Sequence, residues 1–220
     1  MVKACILQPN FIPWMGYFEI IKACRTCVIY DNASYSKNTF HNRNYILLNN
    51  KSLFNWSLPL KSYELGASFN DIKVNYSDRE LKKLHRTFDQ NFNKSEYYPA
   101  LQQLLDCITK KDAVLSKVNI RSIELIMNAL EIDTQIIRAS DLSLSSNGRS
   151  EKLAEILEKV GATVYVSSAG AQGYLEEDSF SQKFKGKVEF MEFTCERSKR
   201  LMGDNGVNLS ALSLLLEGLL

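Results

Sequence analysis

The sequence predicts an α/β fold with a Rossmann-like, mostly parallel sheet that opens with a βαβ unit and carries a helical insert in its middle third. Three observations predict this class. Two apolar runs with a helical pattern between them open the chain, helical periodicity dominates the middle third, and alternation of strands and helices returns in the last third. A strand, a helix and a second strand joined in this way favour parallel pairing.

The opening unit places two loops at one edge of the sheet. Val2–Leu7 has the composition of a buried strand, and the prolines of Gln8–Pro13 make a turn. A helix is predicted over Trp14–Ala23 and a second buried strand over Thr26–Tyr30, which ends at Asp31. Because parallel strands end at the same edge, the turn and the Asp31 loop share the carboxyl edge, where open α/β sheets bind ligands.

The middle of the chain changes from strand patterns to helix patterns. Two or three antiparallel strands are predicted here, over Tyr45–Leu48, Leu53–Leu60 and Ile72–Tyr76. Ser77 and Glu80 then form a capping-box pattern that begins a helix. Further helices are predicted over Glu96–Ile108 and Ala113–Leu130. We interpret residues 77–131 as a helical subdomain of a single domain that spans residues 1–220.

The last third returns to alternating strands and helices. The predicted elements are a strand over Thr134–Ala139, a helix over Ser150–Val160, strands over Thr163–Ser167 and Val188–Phe193, and a Leu-rich helix over Asn208–Leu219. The Leu-rich helix could serve a homodimer or a partner interface, or it could pack on the core of its own chain.

Composition excludes several classes of protein. The 27 Lys and Arg residues nearly balance the 25 Asp and Glu residues, so bulk charge predicts no nucleic-acid partner. No apolar run is long enough to cross a membrane, and Gln8 and Pro9 end the first run too early for a signal peptide. Five cysteines fit reduced thiols, which favours a cytoplasmic protein.

The cysteines and histidines give no metal pattern. Cys24 and Cys27 form a C-x-x-C, but at the end of a helix, whereas a redox pair needs a helix N-terminus and zinc needs two more ligands. We interpret them as core residues. His41 lies in a polar loop, where it could act as a general base or bind a ligand. His85 lies on a leucine-lined helix face, which favours a structural role.

Polar residues that could bind a ligand fall in three clusters. The first surrounds Gly16 at the start of a helix, where free N–H groups attract an anion, although a rigid turn that fills the core gives the same pattern. The second follows Asp31, and the third includes Arg149 just before a helix; a solvated loop and a helix cap are their alternatives. The candidate ligand-binding residues are Gln8, Pro9, Asn10, Trp14, Gly16, Tyr17, Ser36, Lys37, Asn42, Asn44 and Arg149.

The residues of the first cluster resemble a known family. The stretch from Ala4 to Ile21, which includes Gln8-Pro9-Asn10-Phe11-Ile12-Pro13-Trp14-Met15-Gly16-Tyr17, is similar to the opening of the WbqC-like family. The resemblance continues at Tyr30-Asp31, Ser36-Lys37, Asn42-Arg43-Asn44, His85, Tyr97-Tyr98-Pro99, Gly161–Ser167 and Asn208-Leu209-Ser210. Residues 194–206 depart from it, because they are rich in Arg, Lys and Asp where the family has an aromatic, Pro-containing stretch.

The resemblance implies a role in surface-polysaccharide assembly. Members tend to be encoded with O-antigen and other surface-polysaccharide genes, and some have been suggested to be glycine transferases. A weaker resemblance links the opening to nucleotidyltransferases with a HIGH motif, such as pantothenate synthetase, in which case Trp14-Met15-Gly16-Tyr17 replaces the His-x-Gly-His residues. The loop at Ser145–Ser150 resembles the phosphate-binding loop of the same group. ATP is the cofactor that this second resemblance would imply, and no other cofactor is predicted.

Two functions follow as hypotheses. In the first, the protein transfers an amino acid, plausibly glycine, to a small-molecule or nucleotide-activated sugar; Arg43 and Lys37 neutralise charge, and Asp31 or His41 accepts a proton. In the second, it is a module that binds a nucleotide-sugar or a partner without chemistry, since both motif histidines are missing. Turnover separates the two.

Overall fold

A computed structural model of the chain describes residues 1–110, 112–193 and 209–218. The departure from the family pattern at residues 194–206 lies outside this part of the chain. The structure divides into two compact units. Of the described residues, the first contains 1–8, 16–32 and 132–193, and the second contains 9–15, 33–110, 112–131 and 209–218.

The first unit is built on a five-stranded sheet. Its strands are β1 (Lys3–Leu7), β2 (Thr26–Ile29), β5 (Gln135–Arg138), β6 (Val164–Ser168) and β7 (Lys187–Met191). Their order across the sheet is β5-β2-β1-β6-β7, and every neighbouring pair is parallel. Counted in chain order within this sheet, the arrangement is 3-2-1-4-5, which matches the first five strands of the doubly wound Rossmann order 3-2-1-4-5-6. The predicted α/β class is confirmed.

Helices cover both faces of this sheet. Ala4, Ile6 and Val28 share a buried cluster with Leu153 and Leu157 of helix α5 (Arg149–Lys159). Side chains alternate between the faces of a strand, so the intervening Cys5 and Cys27 belong to the opposite face. That face carries helix α1 (Met15–Lys22), whose Tyr17 lies beside both thiols. Burial on both faces explains why these strands are continuously apolar.

The second unit combines a hairpin with helices. Strands β3 (Arg43–Leu47) and β4 (Leu53–Ser57) pair antiparallel. The helices are α2 (Asp78–Phe92), α3 (Tyr98–Thr109), α4 (Leu115–Ala129) and, near the end of the chain, α8 (Ala211–Leu216). Two further short helices, α6 (Gln172–Glu177) and α7 (Phe180–Lys183), belong to the first unit and were not predicted.

Aromatic contacts form the core between the hairpin and α2. The Trp56 ring lies edge-on to Phe11 at 4.9 Å and to Phe88 at 4.7 Å between ring centroids. Phe88 comes from α2, whose first turn carries the predicted capping box: the Ser77 hydroxyl accepts from the Glu80 N–H, and Glu80 accepts from the Ser77 N–H. The capping-box prediction is confirmed.

One predicted strand is absent. The strand expected over Ile72–Tyr76 is replaced by isolated bridges between Leu60 and Val74 and between Lys73 and Val114. The Lys73 carbonyl accepts from the Lys61 N–H, whereas the Val74 N–H donates to the Ala113 carbonyl, so no continuous ladder forms. The apolar alternation of this segment is nevertheless that of a strand.

Two further structural results concern the helices. All six residues of α8 are buried, and its N-terminus is fixed where the Ser210 N–H donates to the Tyr45 carbonyl at 3.1 Å. Among the residues that the structure describes, no helix combines the length and the apolar character that a membrane span requires.

Candidate functional site

Asp31 lies at the carboxyl edge of the sheet in the first unit, directly after β2. Its side chain is fully buried. The Ser140 N–H donates to Oδ1 at 2.9 Å and the Ser140 hydroxyl donates to Oδ2 at 2.7 Å. Ser140 follows β5, so this pair joins the ends of two neighbouring parallel strands. The predicted position of Asp31 at the sheet edge is therefore found, and Ser140 holds the orientation of its carboxylate.

Arg149 lies at the first turn of α5 and is engaged within the first unit. Its Nε donates to Asp178 at 2.9 Å, and its guanidinium lies 4.6 Å from the centre of the Tyr174 ring. The buried Ser150 hydroxyl donates to the same Asp178 oxygen at 2.7 Å. These donors lower the pKa of Asp178, Ser150 first and Arg149 second. An anion at this helix start would compete with Asp178 for Arg149.

The loop before Arg149 holds one of the protein's own carboxylates. Glu155 accepts from the backbone N–H groups of Ser145 and Ser146 at 2.9 and 2.8 Å, and from the Ser145 hydroxyl at 3.0 Å. The Ser146 and Ser145 N–H groups lower the pKa of Glu155 to about 2. The loop that was predicted to bind an anion holds the carboxylate of Glu155. Binding of an external anion by this loop stays a prediction.

The turn after β1 is fixed by amide side chains of the second unit. Asn44 donates to the Ile12 carbonyl at 2.9 Å, and Asn119 donates to the Pro9 carbonyl at 2.6 Å. The Ile12 N–H donates to the Ser122 hydroxyl at 3.2 Å. Asn44 and Asn119 are fully or almost fully buried. Asn44, predicted as a ligand-binding residue, therefore holds the Ile12 backbone.

The other predicted residues of this stretch lie as follows. In the first unit, the buried Tyr17 hydroxyl donates to the Gln8 carbonyl at 3.0 Å, and Gly16 is buried at the start of α1. In the second unit, Trp14 forms a bridge with Ser210, and Asn10 is partly buried. Whether Gly16 and the start of α1 bind phosphate stays a prediction.

His41 is a buried, neutral histidine of the second unit. Its Nδ1 accepts from the Ser36 N–H at 3.1 Å, and its ring lies edge-on to Phe69 at 4.7 Å. Burial is the largest cause that lowers its pKa, to about 4. A histidine with this pKa is uncharged at neutral pH, and its Nδ1 is already engaged as an acceptor.

A basic groove in the second unit is lined by five of the ten residues of the second predicted cluster, residues 35–44. Its volume is about 360 Å³, at the small end of the range for ligand sites. Its lining contains three cationic side chains and no carboxylate; the residues are Tyr35, Lys37, Asn38, Asn42, Arg43 and Ser57–Tyr63. We call this cavity the basic groove.

The wall of the basic groove is ordered by hydrogen bonds. The Tyr35 hydroxyl donates to Asn42 Oδ1 at 2.9 Å, and Asn42 Nδ2 donates to the Leu58 carbonyl at 3.0 Å. The Tyr35 ring lies edge-on to Tyr63 at 5.3 Å. Burial is the main cause that raises the pKa of Tyr35 to about 12, so its hydroxyl stays protonated and can donate.

The cations of the basic groove differ in how they are engaged. Arg43 Nη2 donates to the Asn38 carbonyl at 2.6 Å, which uses one of its five donors. Lys61 forms an ion pair with Asp112 at 2.7 Å. Lys37 is exposed and makes no hydrogen bond or ion pair with the residues that the structure describes. Arg43 and Lys37 therefore keep donors that an anionic group could use.

Sequence reasoning missed the far wall of the basic groove, residues 57–63. Arg43 pairs with Ser57 in the hairpin. The segment before β3 and the segment after β4 therefore lie at the same end of the hairpin. The signal was present, since an antiparallel pair predicted over Tyr45–Leu48 and Leu53–Leu60 implies that polar residues on those flanks meet.

A second cavity of the second unit has a different character. Its volume is about 650 Å³, and its lining carries several carboxamides, among them Asn49, Asn91 and Asn93. Asn49 and Asn91 already bond to each other through two hydrogen bonds. Its lining contains one lysine, Lys94, and two carboxylates, Glu96 and Glu217, so this cavity lacks the net positive charge of the basic groove.

Thiols and carboxylates form no metal cluster in the described part of the chain. Cys5, Cys24 and Cys27 are buried free cysteines of the first unit. Burial is the largest cause that raises the pKa of Cys5, and a bond with Cys5 is the largest cause for Cys24. Buried protonated thiols are poor nucleophiles, in agreement with their interpretation as core residues.

These features define an α/β protein with a Rossmann-order sheet in one unit and a basic, aromatic groove in the other. The WbqC-like protein family model matches residues 8–217, and the chain belongs to this family. The chain is 29% identical over 221 residues to the uncharacterized protein Rv1507c of Mycobacterium tuberculosis (strain ATCC 25618 / H37Rv). The aligned region covers 98% of this chain and 93% of that protein. No solved structure matches the chain significantly.

Proposed function

We propose that the protein is a cytoplasmic transferase that attaches an amino acid, plausibly glycine, to a sugar during assembly of a bacterial surface polysaccharide. The observation that carries the proposal is the basic groove, in which cations, amides and tyrosines meet without a carboxylate. Membership in the WbqC-like family supports it, because the family resemblance implies surface-polysaccharide assembly. In this proposal the basic groove holds the acceptor sugar.

The lining suits a hydroxylated ligand with a negative charge. Tyr63 is 37% exposed and offers an apolar ring surface with a polar end, a combination that favours sugars. Asn42 and the Tyr35 hydroxyl are fixed by their own bond, so they lose little entropy when a ligand binds. The free guanidinium donors of Arg43 match a phosphate or carboxylate, which a planar fork binds in two places.

Charge stabilisation is the catalytic effect that we assign to Arg43 and Lys37. Acyl transfer to a sugar passes through a state with negative charge on oxygen, and preorganised cations stabilise that charge. Lys37 lies in a loop that is closed by the hydrogen bond from the Ser36 N–H to His41 Nδ1. Arg43 donates to the Asn38 carbonyl of the same loop. Positioning of the sugar adds to the rate by making the reaction effectively intramolecular.

The proposed reaction also needs a group that accepts the proton of the attacking sugar hydroxyl or amine, and an amino-acid donor. Asp31 and His41 are the candidate proton acceptors. Asp31 belongs to the first unit and bonds to Ser140, and His41 belongs to the second unit and bonds to Ser36. The amino-acid donor could be free glycine with ATP. The Rossmann order of the sheet supports a nucleotide, since this order binds nucleotides at its carboxyl edge.

A second candidate function is ligand binding without chemistry. The observation that favours it is the missing carboxylate in the lining of the basic groove, together with aromatic residues where the HIGH motif has histidines. A binding module would keep the affinity for a nucleotide-sugar and give no product. One experiment separates the transferase from the binding module.

The experiment combines purified protein, isotopically labelled glycine, ATP and sugar phosphates or nucleotide-sugars as acceptors, with mass spectrometry of the products. The transferase is supported by a glycyl adduct of the sugar that Arg43→Ala abolishes and Arg79→Ala, an exposed arginine of α2, leaves unchanged. A thermal shift with the sugar and no adduct, with ATP or a preactivated glycyl donor, favours the binding module. A ligand at ~100 times its Kd adds ~2.7 kcal/mol, which is visible in the shift.

A further inference from the structure

The basic groove offers a ligand two uncompensated positive charges. Of the three cations in its lining, Lys61 is neutralised, because its Nζ lies 2.7 Å from the Asp112 carboxylate. The Arg43 guanidinium uses one of its N–H donors on the Asn38 carbonyl and forms no ion pair with a described residue. Lys37 is exposed and is equally unpaired within the described part of the chain. Arg43 and Lys37 therefore supply the charge that remains.

This charge matches one phosphomonoester. A phosphomonoester carries a charge of about −1.5 to −2 at pH 7, together with three strong acceptor oxygens. A carboxylate carries a single charge and would leave one cation unmatched, and the diphosphate of a nucleotide-sugar distributes its charge over two phosphate groups. A planar guanidinium binds two oxygens of one phosphate, and an ammonium group adds a point charge. The available cations therefore favour a ligand with both charges on one phosphate.

The remaining space and lining suit a single sugar ring. The volume of about 360 Å³ leaves little room for the base, ribose and second phosphate of a nucleotide-sugar. The Tyr63 ring is 37% exposed and is held edge-on by Tyr35 at 5.3 Å between centroids. The hydroxyls of Ser57 and Ser62 line the same groove and bond to no described residue, so they can bind sugar hydroxyls.

We propose that the basic groove binds a monosaccharide that carries a phosphomonoester, with Arg43 and Lys37 on the phosphate and the sugar ring beside Tyr63. This inference rests on the proposed function, since it names the class of the acceptor sugar that the groove holds. It excludes a nucleotide-activated sugar as that acceptor. The charge argument applies equally to a phosphate on carbon 1 and on carbon 6, and the experiment compares the two.

The test is titration calorimetry of the purified protein at pH 7. The probes are the 1-phosphates and 6-phosphates of glucose, galactose and N-acetylglucosamine. The comparison ligands are inorganic phosphate, glucuronate, galacturonate and the UDP derivatives of the three sugars. We expect at least one sugar phosphate to bind roughly tenfold more tightly than every comparison ligand, which is the contribution of one hydrogen bond between charged groups.

The pH dependence of binding identifies the titrating group. The second pKa of a phosphomonoester is about 6, so the affinity for the sugar phosphate should fall about tenfold between pH 7 and pH 5. The titratable and charged groups of the groove and its supporting loops are Arg43, Lys37, Lys61, Asp112, Tyr35, Tyr63 and His41.

Two of these groups have pKa values far outside that range. The pKa of Tyr35 is raised to about 12, mainly by burial, and burial lowers the pKa of His41 to about 4. The uronates and UDP-sugars do not titrate between pH 5 and pH 7. A protein group that titrates there would therefore weaken their binding as much as that of the sugar phosphate, and such a result would overturn the inference.

Variants of the two cations test the assignment of the phosphate. Arg43→Ala should weaken binding of the sugar phosphate at least about tenfold, and Lys37→Ala, which removes an exposed charge, about fivefold or less. Lys82→Ala, an exposed lysine of α2, should bind like the wild type. The inference is overturned if no sugar phosphate binds, or if a uronate, a UDP-sugar or inorganic phosphate binds as tightly.

The outcome is separable from that of the proposed function. Binding of a sugar phosphate without any glycyl adduct would support this inference and contradict the transferase. A glycyl adduct of a UDP-sugar, from a protein that binds no sugar phosphate, would overturn this inference and support the transferase.

Discussion

Asp31 and Ser140 lie at the ends of two neighbouring parallel strands, and both carboxylate oxygens of Asp31 accept hydrogen bonds from Ser140. The pair stabilises the loops after β2 and β5 at the carboxyl edge of the sheet. The predicted role of Asp31 as a proton acceptor stays a prediction, whereas its bonds to Ser140 give it a structural role. The two roles make different predictions for variants.

We expect Ser140→Ala to lower the free energy of unfolding by about 1.5–3 kcal/mol, the usual contribution of a hydrogen bond to a charged group. The cause is the loss of one partner of a buried carboxylate. Urea unfolding of the wild type and Ser140→Ala measures the change, with Ser181→Ala, an exposed serine of α7, as the control. An unchanged unfolding midpoint in Ser140→Ala would show that the bond does not stabilise the sheet edge.

Asn119 presents a second buried relationship, within the second unit. Its Nδ2 donates to the carbonyls of Pro9 and His41 at 2.6 and 2.7 Å, and its Oδ1 is a buried acceptor without a partner. We expect Asn119→Ala to lower stability by about 2–4 kcal/mol, because two buried carbonyls lose their donor. Asn119→Asp should lower it further, because it replaces the donor with an acceptor that faces two carbonyls.

The measurement is urea unfolding of both variants beside Asn128→Ala, an exposed asparagine of the same helix. The control should remain within ~0.5 kcal/mol of the wild type, as surface substitutions usually do. If Asn119→Asp proved as stable as the wild type, the assignment of Nδ2 as the donor to both carbonyls would be wrong.

Most strands and helices, the parallel pairing of β1 with β2 and the antiparallel hairpin could be predicted from the sequence. The full order of the strands and the short helices α6 and α7 could not. Apolar runs identify β1 and β2, and the capping box at Ser77 identifies the start of α2. The order of the strands is fixed by packing across many residues, which no local pattern contains. For the same reason the strand predicted over Ile72–Tyr76 is wrong, since alternation cannot tell whether a neighbouring strand is present.

The candidate site could also be predicted only in part from the sequence. The types and spacing of Lys37, Asn42 and Arg43 indicated an anion-binding loop, and the structure brings them to one groove. The types alone did not show that Asn44 is buried against the Ile12 carbonyl or that Glu155 fills the Ser145–Ser146 loop. An amide or a backbone N–H group serves a ligand and its own chain equally well, so only the coordinates separate the two uses.

The pH dependence of stability should report on His41. Its folded pKa of about 4 lies below the unfolded value of ~6.5, so the unfolded chain takes up a proton before the folded one does. The contribution of His41 to stability therefore falls as the pH drops from ~6.5 to ~4, by an amount on the order of 2 kcal/mol, and this contribution changes no further below that pH. His41→Gln, which keeps an acceptor for the Ser36 N–H, should remove this dependence. Urea unfolding at several pH values tests it, and a dependence unchanged in His41→Gln would assign the effect to another group.

Glu155 allows a test of whether the Ser145–Ser150 loop is available to an external anion. Because Glu155 accepts from the Ser145 and Ser146 N–H groups and has a pKa of about 2, its contribution to loop stability is present above pH ~4.5 and is lost as the pH falls through about 2. At pH 7 these N–H groups should therefore not respond to added phosphate in the wild type.

In Glu155→Gln the charge is removed while a polar side chain remains. We expect the Ser145 and Ser146 amide signals in nitrogen–proton NMR spectra to shift on addition of inorganic phosphate in this variant and not in the wild type. Glu158→Gln, an exposed glutamate of the same helix, serves as the control and should behave like the wild type. A phosphate response in the wild type would mean that an external anion displaces Glu155, and the loop beside Arg149 would then be a ligand site as the sequence predicted.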